Sequence, residues 1–321
     1  MNDDEAEVDP GESEPESHPE RVDLLRTMLN STGRGGVPIR RAFVQSAEPD
    51  TEGTRQGPMA SLVNDPATLD VYLLIHALAS SRTPYDARYQ SSAWAIMAGF
   101  TRFSAMTGAK SKWSRSVTKL TKMGLIRREG SGRSVRYYLL HESGSGDPYT
   151  RPKTVDDDRW FSLPHTYWLD GWDQTLGAPE KMMLMIALSS KPTFELPYNR
   201  APIWYGISES TAKRGLTRLA ERKPAALLRY QRWEPDAASR TLWRTITSYR
   251  LIGKWSARSR AAVMRKQRSD EPVKFRENKE ALDLALESAL SPPGTLVIPK
   301  ETKIVERIEG LIDRDRQKEL R

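Results

Sequence analysis

Between residues 115 and 139 the chain reads RSVTKLTKMGLIRREGSGRSVRYYL, with seven Lys or Arg against one Glu. Side chains of these types, this close together, suit two tasks. Lys and Arg neutralise phosphates and release condensed counterions, which makes binding salt-dependent. Arg can also bond a guanine edge in bidentate fashion, and Ser or Thr can reach a base or a phosphate. Both tasks need the cations on one side of a rigid element, clear of any core. Trp113, Val117 and Leu120 fall at i, i+4 and i+7, the spacing of a buried helical stripe. At about 100° per residue, the opposite side carries Arg115, Thr118, Lys119 and Lys122, with Ser111 and Lys112 at its edge. Gly124 stands where a helix C-terminus favours glycine. LIRRE and SVRYYLL then flank Gly130-Ser131-Gly132-Arg133 as a hairpin displaying Arg127, Arg128, Arg133 and Arg136.

The same arrangement returns further along. Ser208 is a suitable N-cap for ESTAKRGLTRLAER, in which Ala212, Leu216 and Leu219 repeat the inner stripe. Ser210, Thr211, Arg214, Thr217 and Arg218 point outward, with Lys213 on the flank. Arg115 and Arg214, Thr118 and Thr217, Lys119 and Arg218 share helical phase. A shared inner stripe says only that both helices fold; a shared outer Arg-Thr-Lys/Arg pattern says the outer face is used. The second hairpin, LLRYQRW and RTLWRTITSYRL around EPDAAS, is longer and carries Arg229, Arg232, Arg240 and Arg244.

Each basic helix needs a core to stand on. NDPATLDVYLLIHALASS opens with Asp65 as N-cap and Pro66 in the first helical position, and is apolar nearly all round, so it belongs at the centre of a fold. GAPEKMMLMIALSS, with Pro179, repeats the idea. ALAS at 77–80 and ALSS at 187–190 are 110 residues apart, as are Trp94 and Trp204. Matched features in one order indicate an internal duplication. Each unit reads helix, helix, helix, hairpin, the order of a winged helix-turn-helix.

The chain of 321 residues has room for about two domains. Its mean hydropathy of −0.63 leaves much of it solvated. The first twenty residues hold nine acidic residues and no Lys or Arg, and the rest of the chain has 50 basic residues against 33 acidic. A basic body with an acidic tail fits a polyanion partner. There is no cysteine, which suits a cytoplasmic protein; a polyanion partner that is DNA would make it nucleoid-associated or plasmid-bound. Four His without Cys argue against a zinc site. No apolar run suggests a membrane span, and the acidic start does not read as a signal peptide. EGSGRSVR lacks the order of a phosphate-binding loop, and no catalytic set, metal site or cofactor motif is present. His76 and His165 read as core residues. Asp156, Asp157 and Asp158 read as a solvated run, and Tyr167, Trp168 and Trp172 as a packed seam rather than a platform for bases.

The expected fold is mainly α with small β-hairpin wings: two tandem winged helix-turn-helix domains, a disordered acidic N-terminus and a helical C-terminal extension. The boundaries run 1–30 for the tail, 31–62 for an arm, 63–142 and 160–255 for the two domains, 143–159 for a linker, and 256–321 for a basic linker and C-terminal helices. RVDLLRTML overlaps the tail boundary as a short helix candidate. With these elements in place, DPYTRP, FSLPHTYWLDGW, MLMIALSS and WYGISESTAKRGL resemble a group of tandem winged-helix proteins of high-GC Gram-positive bacteria, over about residues 38–252. The resemblance implies DNA binding. The tandem arrangement also looks like plasmid replication initiators, which pair a dimerising winged helix with a DNA-reading one. The expectation is therefore a non-enzymatic, sequence-specific binder of double-stranded DNA acting as a transcriptional regulator. Its homodimer would form through one winged helix or through the C-terminal stripe of Ile304, Ile308, Leu311 and Ile312. A plasmid or phage replication or partition protein is the first alternative, and a protein–protein assembly module the second.

Overall fold

The computed structural model describes residues 19–131, 135–152, 158–236 and 242–269. Arg133, Arg240 and the stripe of Ile304, Ile308, Leu311 and Ile312 lie outside them. Within them, a helix α1 (Pro19–Ser31) and a strand β1 (Gly36–Arg40) come first. Leu24, Leu25, Met28 and Leu29 of α1 are buried, so residues assigned in part to a disordered tail belong to the core.

The first helix–hairpin unit comprises α2 (Pro66–Leu78), β2 (Asp86–Ala87), α3 (Ser91–Met97), α4 (Met106–Lys122), β3 (Ile126–Glu129) and β4 (Arg136–Leu139). The Asp65 carboxylate accepts from the Thr68 backbone N–H and caps α2, which is buried from Thr68 to Leu78. After β5 (Trp160–Pro164) and two short helices, α5 (Thr166–Leu169) and α6 (Trp172–Thr175), the second unit runs α7 (Ala178–Ser189), β6 (Thr193–Glu195), α8 (Ala201–Tyr205), α9 (Glu209–Glu221), β7 (Leu227–Pro235) and β8 (Trp243–Leu251). A helix α10 (Ala257–Ser269) completes the described chain. The two units have one topology. A short strand after the first helix pairs with the second strand of the hairpin, giving antiparallel sheets of order β2-β4-β3 and β6-β8-β7.

The mainly α class expected from the sequence is corrected by this structure. The described residues form a mixed α/β fold, about 48% helical and 19% strand, with three small antiparallel sheets. The strand content beyond the two hairpins has two sources. β1 pairs with β5 from Gly36↔Pro164 to Arg40↔Trp160, and a strand buried on both faces shows no alternation to read. β2 and β6 are too short to carry a period. β7 and β8, nine residues each, are the longer second hairpin expected from the sequence, and they run well past the core they anchor to.

One core joins the two units. α2 and α7 are linked by a buried ion pair, and α1 and α6 by another. Lys181 pairs with Asp70, which also accepts a 2.7 Å hydrogen bond from the Tyr167 hydroxyl, and Arg21 pairs with Asp173. At the other joint, Arg40 of β1 bonds Glu142 at 2.7 Å and pairs with Asp158, while His76 Nε2 lies 3.5 Å from Glu142. Burial pushes the Glu142 carboxyl up, but His76 and Arg40 outweigh it and hold it below its ordinary value. Arg34 donates to the carbonyls of Ala77 and Ala79 at 2.7 Å, closing the C-terminal end of α2. Tyr167, Trp168 and Trp172 are buried, as a seam requires. No helix among the described residues is long and apolar enough to cross a membrane.

Candidate nucleic-acid interface

The two basic helices stand on their cores by different means. In the first unit Trp94 and Trp113 stack with ring centroids 4.7 Å apart, and Trp113 Nε1 donates to the Tyr137 hydroxyl at 3.1 Å. That cluster fixes α4 against α3 and β4, and Ala109, Ser116, Val117 and Leu120 complete its buried side. In the second unit Ala212, Gly215, Leu216 and Leu219 form the inner face of α9, and the Ser208 hydroxyl accepts from the Thr211 backbone N–H as its cap.

These inner faces set the outer ones. On α4, Ser111, Lys112, Arg115, Thr118 and Lys122 are exposed; on α9, Ser210, Lys213, Arg214 and Arg218 are exposed, and Thr211 and Thr217 half-buried. Arg115, Lys122, Lys213 and Arg214 have no hydrogen-bond or ion-pair partner among the described residues. The Ser111 and Thr118 hydroxyls donate to the Thr107 and Ser114 carbonyls one turn back, leaving their oxygens as acceptors. Lys112 lies 4.5 Å from the centre of the Phe100 ring.

Lys119 and Arg218 differ from the rest. Lys119 Nζ is 3.0 Å from Asp65, the cap of α2, and Arg218 Nη1 is 3.7 Å from Glu180 in the first turn of α7. Burial pushes the Asp65 carboxyl up, but bonds from Lys119 and Thr68 prevail and hold it below its ordinary value. In each unit the same helical position therefore ties the third helix to the start of the first. The shared Lys/Arg phase seen in the sequence has this internal use.

The hairpins divide in the same way. Arg127 bonds Glu129 at 2.7 Å and lies 4.1 Å from the centre of the Tyr138 ring, while Arg136 is half-buried and 3.9 Å from Asp86. Arg128 sits opposite Tyr137 on the strand face that turns toward the core, and is exposed at its outer end. In the second hairpin Arg232 bonds Glu195 at 3.0 Å and Glu234 at 2.9 Å, and Arg244 bonds Glu234 at 3.2 Å. Arg229 is exposed opposite the buried Tyr249.

No family model, curated protein or solved structure matches the chain.

Three aromatic side chains that the sequence pattern did not single out are exposed. Phe103, 78% exposed with the Arg102 guanidinium 4.9 Å from its ring centre, lies three residues before the start of α4. Trp233 and Trp243 sit on the second hairpin. Aromatic residues read as core on composition alone; Trp233 and Trp243 are exposed because the β7–β8 hairpin outruns its core.

Proposed function

We propose that this protein is a non-enzymatic, sequence-specific binder of double-stranded DNA, serving as a transcriptional regulator. The observation that carries the reading is the pair Arg115 and Arg214. They occupy the same phase on equivalent helices, are exposed, and have no partner among the described residues. A helix with that face fits the major groove, where a bidentate arginine distinguishes guanine. The exposed Arg128 and Arg229 of the adjoining hairpins suit phosphates, which position a protein without specifying sequence. α4 carries Lys110, Lys112, Arg115, Lys119 and Lys122 and no acid, whereas α9 carries Glu209 and Glu221. The first unit therefore supplies more of the affinity.

Selection of the full-length protein from a random duplex pool at two salt concentrations tests the reading directly, and a preferred sequence should emerge. Arg115→Ala or Arg214→Ala should then relax preference at one base pair by about 1–3 kcal/mol, whereas Arg128→Ala should weaken all sequences alike and flatten the salt slope by about one. Equal weakening of all sequences by the helix variants would remove the claim of base readout. Binding no stronger than background at low salt would remove DNA altogether and favour an assembly role.

A further inference from the structure

The described residues expose eight large apolar side chains, and five of them, Leu228, Tyr230, Trp233, Leu242 and Trp243, belong to the β7–β8 hairpin or its end. Such a concentration marks a contact surface rather than scattered exposure.

Register divides them, with Leu228 and Tyr230 on one face of the hairpin and Trp233 and Trp243 on the other. Opposed residues of an antiparallel pair point the same way, so Leu227 and Leu251, Arg229 and Tyr249, Gln231 and Thr247, Trp233 and Thr245, and Pro235 and Trp243 share one face. Near the body that face is buried through Leu227, Tyr249 and Leu251. Beyond Arg229 it leaves the body and projects for about 20 Å, from six residues at some 3.4 Å each. On the projecting part Trp233 is 69% exposed and Trp243 50% exposed, and they are diagonal neighbours.

The two faces of the arm carry different chemistry. On the far face Arg232 and Arg244 are held by Glu195 and Glu234, and the Arg250 guanidinium lies 5.2 Å from the centre of the Tyr230 ring. The tryptophan face instead interleaves its rings with Arg229, Gln231 and Thr245, groups that bond phosphates, sugars or base edges. An arm of Arg229, Arg232, Arg244 and Arg250 against Glu234 and Asp236 is cationic. Indole rings alternating with hydrogen-bonding groups on a cationic ribbon suit a polyanion with flat apolar faces of its own. An unpaired nucleic-acid strand offers both, whereas paired bases are already stacked on one another.

We propose that the outer half of the β7–β8 hairpin is a base-stacking arm, on which Trp233 and Trp243 receive bases of an unpaired DNA strand beside a duplex held by α9. This rests on the DNA-binding reading above and narrows its ligand: DNA with an unpaired stretch is bound more tightly than the same sequence fully paired.

The test compares the full-length protein on two labelled DNAs of one sequence, a continuous duplex and the same duplex with a short central bubble. Wild type should favour the bubble by about tenfold or more, in keeping with stacking energies for one or two bases. Trp233→Ala with Trp243→Ala should abolish that preference and leave affinity for the paired duplex unchanged, while Trp233→Phe with Trp243→Phe should keep most of it. Equal wild-type affinity for both DNAs, or a preference that survives the double Ala change, overturns the arm and leaves the duplex reading intact. So does a fall in sedimenting mass on the double Ala change, which would make the arm a contact between copies. Failure of wild type to bind either DNA removes the underlying reading as well.

Discussion

At the scale of single residues, the structure divides the basic side chains by what they already touch. Arg115 and Arg214 are open, whereas Lys119, Arg218, Arg127, Arg232 and Arg244 each face a carboxylate of the same chain. The helical phase of all those on α4 and α9 was legible, because the period of an α-helix comes from its backbone. Their partners were not, since Asp65 and Lys119 are brought together only when α4 packs across the start of α2. His165 shows the same limit. Its placement among aromatic residues indicated burial, and burial, with a smaller push from Arg34, depresses its pKa from 6.5 to about 4. A base held neutral by the fold is protonated only in the unfolded chain between those values. Its contribution is therefore complete above pH 6.5 and is lost as pH falls toward about 4. His165→Phe should lessen the loss of stability between pH 7 and pH 5 by about 2 kcal/mol, measured by urea unfolding at both pH values. A slope equal to wild type would mean the imidazole is already solvated in the native state.

At the scale of elements, helices with strong end signals and apolar stripes were readable: α2 with Asp65, α9 with Ser208, and the stop at Gly124, which takes a φ of 67°. The small strands were not, because β2 and β6 exist only by pairing with a hairpin strand that comes much later. Close packing at Gly215 is another element-scale property. A methyl group there would lie 2.3 Å from the Pro179 carbonyl oxygen and 2.6 Å from Met183 Cγ, so α9 can approach α7 only through a glycine. At the corresponding place in the first unit, Ser116 faces Thr68 with their hydroxyls 3.0 Å apart. Helix propensity alone would have Gly215→Ala stabilise by up to about 1 kcal/mol. Overpacking should reverse the sign and cost about 1–3 kcal/mol in thermal or urea unfolding. Lys213→Ala, on the open side of the same helix, is the neutral control.

At the scale of the whole molecule, the two units are held in one relation by charges removed from water. Asp70 and Lys181 are both buried, and each comes from the first helix of a different unit. Lys181→Met strands a carboxylate in the core and should cost about 3–5 kcal/mol in urea unfolding, while Lys181→Met combined with Asp70→Asn should recover much of it. A double variant no better than the single one would show that the pair does not act as a unit. The sequence by itself determined the duplication, the inner and outer sides of the two basic helices and the caps that bound them, since those depend on residue spacing along one element. The tertiary structure alone decided three things: that the fold is mixed α/β, that α1 and β1 enter the shared core, and that two tryptophans stand outside it. Each depends on which distant segments meet, and a one-dimensional period records how a side chain is oriented on its own element but not what arrives to cover it.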